Sequence, residues 1–182
     1  MDFEIIETPR LQLKKYTPEH FRYVFANLTE DEIKRELGIY TDEDFLKEKE
    51  KNIGGFTTYD RTIAHFKLIV KETRQVIGGG GFHNWYSQHR KAELGYALTV
   101  EEMKNKGYMS EAVTAMLHYG FHHMNLNRVE ACVGPTNVPS LSLVKKFGFM
   151  QEGYLRQHYI RDNEIQDSLI FSLLREEYFK EK

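Results

Sequence analysis

One cysteine, four prolines and a single tryptophan among 182 residues set limits before any pattern is sought. Cys132, alone inside the apolar run Val129–Val133, cannot build a disulfide framework. The compartment this implies is reducing and cytoplasmic, and the thiol is expected to pack as a small hydrophobe rather than serve as a nucleophile. No stretch approaches the ~18 consecutive apolar residues of a membrane span. The opening Met-Asp-Phe-Glu-Ile-Ile lacks the basic start and apolar core of a signal peptide. Neither sign of charge dominates: the formal net charge of −2 argues against a nucleic-acid-binding or polyanionic-membrane surface. A Walker loop and a G-x-G-x-x-G dinucleotide turn are both missing. His122 and His123 have no second ligand cluster at metal-binding spacing, so no metal is expected.

What remains is an ordinary globular composition, 41% hydrophobic, suited to one domain over residues 1–182. Leu11, Leu13 and their neighbours up to Tyr16 read as an opening strand. Thr17-Pro18 supplies a cap and a first-turn proline for a helix whose apolar face is Phe21, Val24, Phe25 and Leu28. Thr29 and Glu32 form a capping box for a second helix running to about Leu37 and stopped by Gly38. A third helix begins at Thr41-Asp42-Glu43-Asp44. From Ile63 the period becomes two, with Ala64, Phe66, Leu68 and Val70 on one side of a strand. A return strand follows from Gln75. The run Gly78–Gly81 admits a phosphate-loop reading or a strand that bends or lies under a neighbour; no helix start follows it, and Phe82, Trp85 and Tyr86 continue the strand.

The next strand, Ala92–Thr99, places Glu93, Gly95, Ala97 and Thr99 on one side. A carboxylate on the small-residue side of a central strand is a candidate base whose pKa burial would raise; the alternative is a salt-bridged or edge glutamate. The basic turn Lys104-Asn105-Lys106-Gly107-Tyr108-Met109-Ser110 then opens a helix carrying Val113, Met116, Leu117, Phe121 and Met124 on one face. Unpaired N–H groups at a helix start, two lysines and a glycine suit a phosphate or pyrophosphate, although a plain solvated turn has the same ingredients. Arg128–Val133 reads as a strand. Asn137–Phe149 reads as a helix with Pro139 in its first turn and Gly148 at its end. Phe149–Tyr159 and Ile165–Leu174 read as strands joined by Arg161-Asp162-Asn163.

In order and wording these blocks resemble the GNAT superfamily of acetyl-CoA-dependent N-acetyltransferases. Lys104, Gly107 and Met109 stand where that family has [Q/R]-x-x-G-x-[G/A] on the CoA pyrophosphate; lysine keeps the charge without the guanidinium fork, and Met109 is bulky. Thr8-Pro9-Arg10-Leu11-Gln12-Leu13-Lys14 is similar to the T-P-R-L-x-L-R start of the branch that includes the ribosomal-protein N-terminal acetyltransferases. Asn137, Ser140 and Gly148-Phe149 match the family's N-x-x-[S/A] helix and the G-F that follows it, and Ser172–Tyr178 resembles the same branch's ending.

The resemblance implies an α+β fold: a mixed, mostly antiparallel sheet of about seven strands, splayed near its middle, with helices on both faces. It implies direct acetyl transfer from acetyl-CoA to a primary amine, foremost a protein or peptide N-terminus. The alternatives are a small-molecule amine acetyltransferase and a non-catalytic CoA-binding module. A strand bulge near Leu98, Thr99 and Val100 would meet the pantetheine, and Asn137, Lys145 and Lys146 would join the turn residues in holding CoA. Val144 occupies the family's frequent tyrosine position, so Ser140 is expected to receive the departing thiolate, with Glu93 as base. Tyr40, Tyr59, Tyr154, His158 and Tyr159 are candidates for the acceptor site; monomer and homodimer are both open.

Overall fold

The computed structural model describes residues 2–54, 62–161 and 163–180, so Tyr59 and Asp162 lie outside the described residues. In chain order the elements are β1 (Ile5–Glu7), β2 (Leu11–Tyr16), α1 (Pro18–Asn27), α2 (Glu30–Leu37), α3 (Asp42–Gly54), β3 (Thr62–Val70), β4 (Val76–Tyr86) and β5 (Lys91–Leu98). After a 3-10 turn at Glu101–Met103 come α4 (Tyr108–His122), β6 (Arg128–Val133), α5 (Val138–Lys146), β7 (Met150–Arg161), β8 (Glu164–Leu174) and α6 (Arg175–Lys180).

Local chemistry accounts for most boundaries. The Thr29 hydroxyl accepts from the Glu32 amide while Glu32 reaches back to the Thr29 amide, the two halves of a capping box. Gly38 closes α2 at φ 65°, in the left-handed region. Thr41 bonds Asp44 at the start of α3. The strand that begins with Ile5 was not expected: three residues are too few to show a period, and β1 exists through its pairing with β2.

The sheet therefore has eight described strands rather than seven, in the order β1-β2-β3-β4-β5-β6-β8-β7. Every pairing is antiparallel except β5 with β6, whose crossover runs through α4. That parallel pairing covers only Lys91–Glu93 against Arg128–Glu130. Beyond it the two strands part, which is the splay.

Strand alternation gives the sheet two different faces. Leu13, Phe66, Phe82, Leu94, Val129 and Phe171 face Val113, Met116, Leu117 and Phe121 of α4 in the larger core. The opposite face carries Tyr16 into a smaller core with Phe21, Val24, Ile33, Leu37 and Phe45 of α1, α2 and α3. Two cross-strand rows define the middle of that second face: Tyr16–His65–Gly81–Gly95 and Lys14–Lys67–Gly79–Ala97. The Gly78–Gly81 run is thus strand, and it floors a cavity of about 650 Å³ under α2 and α3. A Cβ on Gly81, at φ 149°, would stand 2.2 Å from the Ala64 carbonyl oxygen, so only glycine lets β3 approach.

Candidate active site

The start of α4 is held from the far end of the chain. The Thr8 hydroxyl (2.6 Å), the Arg10 amide (2.7 Å) and the Arg10 guanidinium (2.7 Å) all donate to the Glu111 carboxylate. Arg10 also donates to the Lys106 carbonyl at 2.9 Å and lies 4.3 Å from the Tyr108 ring centre. These contacts hold the Glu111 carboxyl below its ordinary pKa although burial opposes them. The Thr-Pro-Arg wording near the N-terminus therefore has a physical task, bracing the basic turn. In that turn Asn105 (φ 58°) and Gly107 (φ 80°) both take the left-handed conformation, and Gly107 caps α4 with no side-chain hydrogen bond. The first amides of a 15-residue helix are left open there. Met109 turns inward and is 9% exposed, so its bulk belongs to the core and not to the turn.

From α5, Lys146 donates to the Ser110 hydroxyl at 2.6 Å, joining two of the expected CoA residues. Lys145 is exposed, and Lys104 pairs with Glu101. The Asn137 carboxamide oxygen accepts from the Ser140 amide at 3.2 Å, so Asn137 caps α5 and its side chain is less available to a ligand than expected. The Ser140 hydroxyl is correspondingly not needed as the cap.

Where β5 and β6 part lies a second cavity of about 450 Å³, lined by Glu93, Tyr96, Cys132, Ser140, His158 and Tyr159 among others. His83, Gly95, Tyr96 and Ala97 line both cavities, so the cleft and the glycine-floored chamber meet at these residues. The structure thus gathers Glu93, Asn137, Ser140, His158 and Tyr159 into one cleft. Tyr40 lines the chamber, with its hydroxyl donating to the Val76 carbonyl. Tyr154 does not join them: it is exposed on β7, donates to Asp167, and lines a separate shallow surface with Gln157. Tyr154 and Tyr159 are an odd number of residues apart and pair with Leu169 and Gln166, so strand alternation puts them on opposite faces of β7.

Two expectations are corrected. The carboxyl of Glu93 is not raised. Burial pushes it up, but His83 (Nε2 to Oε1, 3.3 Å), Asn84 (Nδ2 to Oε2, 3.1 Å) and Cys132 together hold it at about 2, so it is a stabilised carboxylate and a weak base. Nor does a bulge free the amide of Thr99, which donates to the Ile77 carbonyl at 2.9 Å. With Thr99 bonded toward β4, alternation turns the amides of Tyr96 and Leu98 toward the side β6 has left.

Sequence reasoning missed His83 and Tyr96. His83 is directly opposite Glu93 in the β4–β5 register, a relation no linear pattern displays. The Tyr96 hydroxyl is buried and has no hydrogen-bond partner among the described residues. Burial raises its pKa, and Ser140 is the polar neighbour acting the other way. Cys132 is driven up to about 12 by burial and the Glu93 charge, which keeps it a thiol. Among the described residues no group of three His, Cys, Asp or Glu side chains is placed to hold a metal ion, and no helix is long and apolar enough to cross a membrane.

Comparison with known proteins agrees with this geometry. The family profile described as "Acetyltransferase (GNAT) domain" matches residues 10–150. "Uncharacterized N-acetyltransferase p20" of Bacillus licheniformis is 34% identical over 177 residues, 96% of this chain and 98% of that protein. "Putative ribosomal N-acetyltransferase YdaF" of Bacillus subtilis (strain 168) is 33% identical over 100 residues, 55% of this chain and 54% of that one. The crystal structure of a GNAT-family acetyltransferase from Bacillus anthracis matches with a TM-score of 0.66 at 29% identity, covering 95% of this chain and 99% of that one. A strand pair that parts at Glu93, a braced basic turn opening α4, and these relatives lead to one assignment: the chain belongs to the GNAT family and is an N-acetyltransferase.

Proposed function

We propose that the protein transfers an acetyl group directly from acetyl-CoA to a primary amine, foremost the N-terminus of a protein or peptide. The observation that carries this reading is the meeting of the cleft and the chamber at His83, Gly95, Tyr96 and Ala97. One cavity suits a thioester and the other an acceptor. The preference for a protein N-terminus draws on the Thr8–Lys14 wording and on the relative named for ribosomal substrates.

The residues present fit CoA. The open amides of α4 with Lys104, Asn105, Lys106, Gly107, Tyr108 and Ser110 would take the pyrophosphate, aided by Lys146 and Lys145. Met109 contributes through its backbone, its side chain being in the core. Along the open edge of β5, Leu98, Thr99 and Val100 would lie beside the pantetheine, with the Tyr96 and Leu98 amides as donors to it. The unpartnered Tyr96 hydroxyl invites a polar atom of the ligand. When bound, acetyl-CoA supplies an activated acetyl thioester.

The chain's own groups then divide the proton work. Glu93, held ionised, orients the His83 imidazole, and His83 accepts a proton from the acceptor amine. This is the logic of a carboxylate behind a histidine, without an enzyme nucleophile. Ser140, with the Tyr96 phenol beside it, provides hydroxyl hydrogens to the leaving sulfur. His158 and Tyr159 line the cleft from β7 and not the chamber, so they border the thioester side of the site.

The deciding experiment measures thiol release from acetyl-CoA over N-terminal Ser, Ala and Thr peptides, polyamines, aminoglycosides and free amino acids. Release with the peptides supports the reading. Release confined to one small amine overturns its protein-N-terminus part, and binding of acetyl-CoA without release from any acceptor overturns the catalytic reading.

A further inference from the structure

Lys67 has no evident structural use. It lies on β3 between Lys14 and Gly79 in the cross-strand row and lines the glycine-floored chamber. Its ammonium makes no hydrogen bond and no ion pair with any described residue, while the neighbouring cations are matched: Lys14 with Glu36, Lys47 with Glu43 and Lys51 with Glu48. Glu48 acts on it only through space, and Lys51 opposes that influence. The side chain is packed largely out of bulk water, and burial holds its pKa below the ordinary lysine value. A half-buried cation without a partner is unfavourable on its own, and such groups are normally paired.

We propose that Lys67 is the anion subsite of the acceptor chamber, and that the acceptor is an amine whose molecule also carries a carboxylate. This deepens the proposed function and rests on it for the position of the amine. Strand spacing of ~4.8 Å and a rise of ~3.3 Å per residue place the Lys67 Cα about 12 Å from the Gly95 Cα, where chamber meets cleft. A lysine stem spans roughly half of that, so the amine and carboxylate are separated by a tether of a few bonds. An acidic side chain near a peptide N-terminus and the terminal carboxylate of a short peptide or amino acid share this chemistry. A polycation meets an unmatched positive charge instead. Carboxylate binding would also counteract the downward push that burial exerts on the Lys67 pKa, since an opposite charge favours the ammonium.

The test compares matched acceptors: Ser-Asp-led against Ser-Asn-led peptide amides for a side-chain carboxylate, and free Ser-Ala against Ser-Ala amide for a terminal one. Both kcat/KM and the affinity of the acetylated products in the presence of CoA are measured. The expected result is a preference of about tenfold for the carboxylate member of at least one pair, lost in Lys67→Met and kept in Lys67→Arg, with the KM for acetyl-CoA unchanged. Which pair shows it identifies the source. Equal treatment of both pairs by the unaltered protein overturns the proposal without any variant. So does a preference that survives in Lys67→Met. If no acceptor releases thiol, the proposed function fails, yet product binding still decides whether Lys67 selects the carboxylate.

Discussion

At Glu93 two influences oppose each other. Burial favours the neutral acid, and three hydrogen-bonding neighbours favour the carboxylate; the neighbours prevail and hold the group at about 2. A carboxyl lower in the folded than in the unfolded chain stabilises the fold above its ordinary value of 4.5, and that contribution disappears as pH falls from there toward 2. Thermal unfolding between pH 2.5 and 6 is therefore expected to show a steeper acid loss for the unaltered protein than for Glu93→Gln. The same variant loses the carboxylate behind His83, so its turnover should fall by about tenfold, and His83→Gln should fall further, by ~10²-fold or more at neutral pH. Ser140→Ala is expected to lower kcat by roughly tenfold to a hundredfold while acetyl-CoA affinity stays close to normal; an unchanged kcat removes the hydroxyl from the mechanism. Glu93 was visible in the sequence as a charge among small residues, whereas Ser140 stood out only through the family resemblance, because a hydroxyl at a helix start by itself reads as a cap. His83 and Tyr96 were hidden, since each matters through a partner across the sheet or across the cleft.

Elements were legible where their signals are local. The Thr29–Glu32 box, the Gly38 stop and the α5 start at Asn137 and Pro139 stand where the residues place them. β1 was not, because its three residues become a strand only against Lys14, Leu13 and Gln12. The turn before α4 lies between these cases: its lysines and glycine are visible in the sequence, but the bracing by Thr8 and Arg10 is a tertiary fact. That bracing predicts an effect at a distance from the cavities. Glu111→Ala removes the acceptor for three donors at a largely buried position, which should lower stability by about 2 kcal/mol in chemical denaturation. The KM for acetyl-CoA should rise in the same variant, because the helix start loses its fixed entry angle; a loss of stability with an unaltered KM would confine Glu111 to a structural role.

On the scale of the whole molecule, the sheet consists of two antiparallel parts, β1–β5 and β6–β8, joined by only three described pairs of parallel residues. A ligand seated in the gap touches both parts at once. At a hundredfold excess over its Kd, acetyl-CoA should stabilise the protein by about 2.7 kcal/mol, raising Tm by several degrees. Amide exchange should slow along Leu94–Leu98 and Ala131–Val133 on binding, whereas protection confined to the turn before α4 would place the ligand outside the gap. The family's splay was foreseeable, but its position required the register of Glu93 with Glu130.

The contact between Thr8 and Glu111 joins residues 103 apart, and Arg10 reaches nearly as far. Closing a loop of that length is slow compared with winding a helix, and it cannot begin on a ribosome until α4 has emerged. The earliest strands of the chain must therefore wait for a helix made much later before the turn is complete. Folding of this protein should show the burial of the hydrophobic core before the recovery of cofactor affinity. A chain shortened by its first ten residues would lose, among the described residues, only Phe3 and Ile6 from the margins of the two cores, yet α4 would begin unlatched.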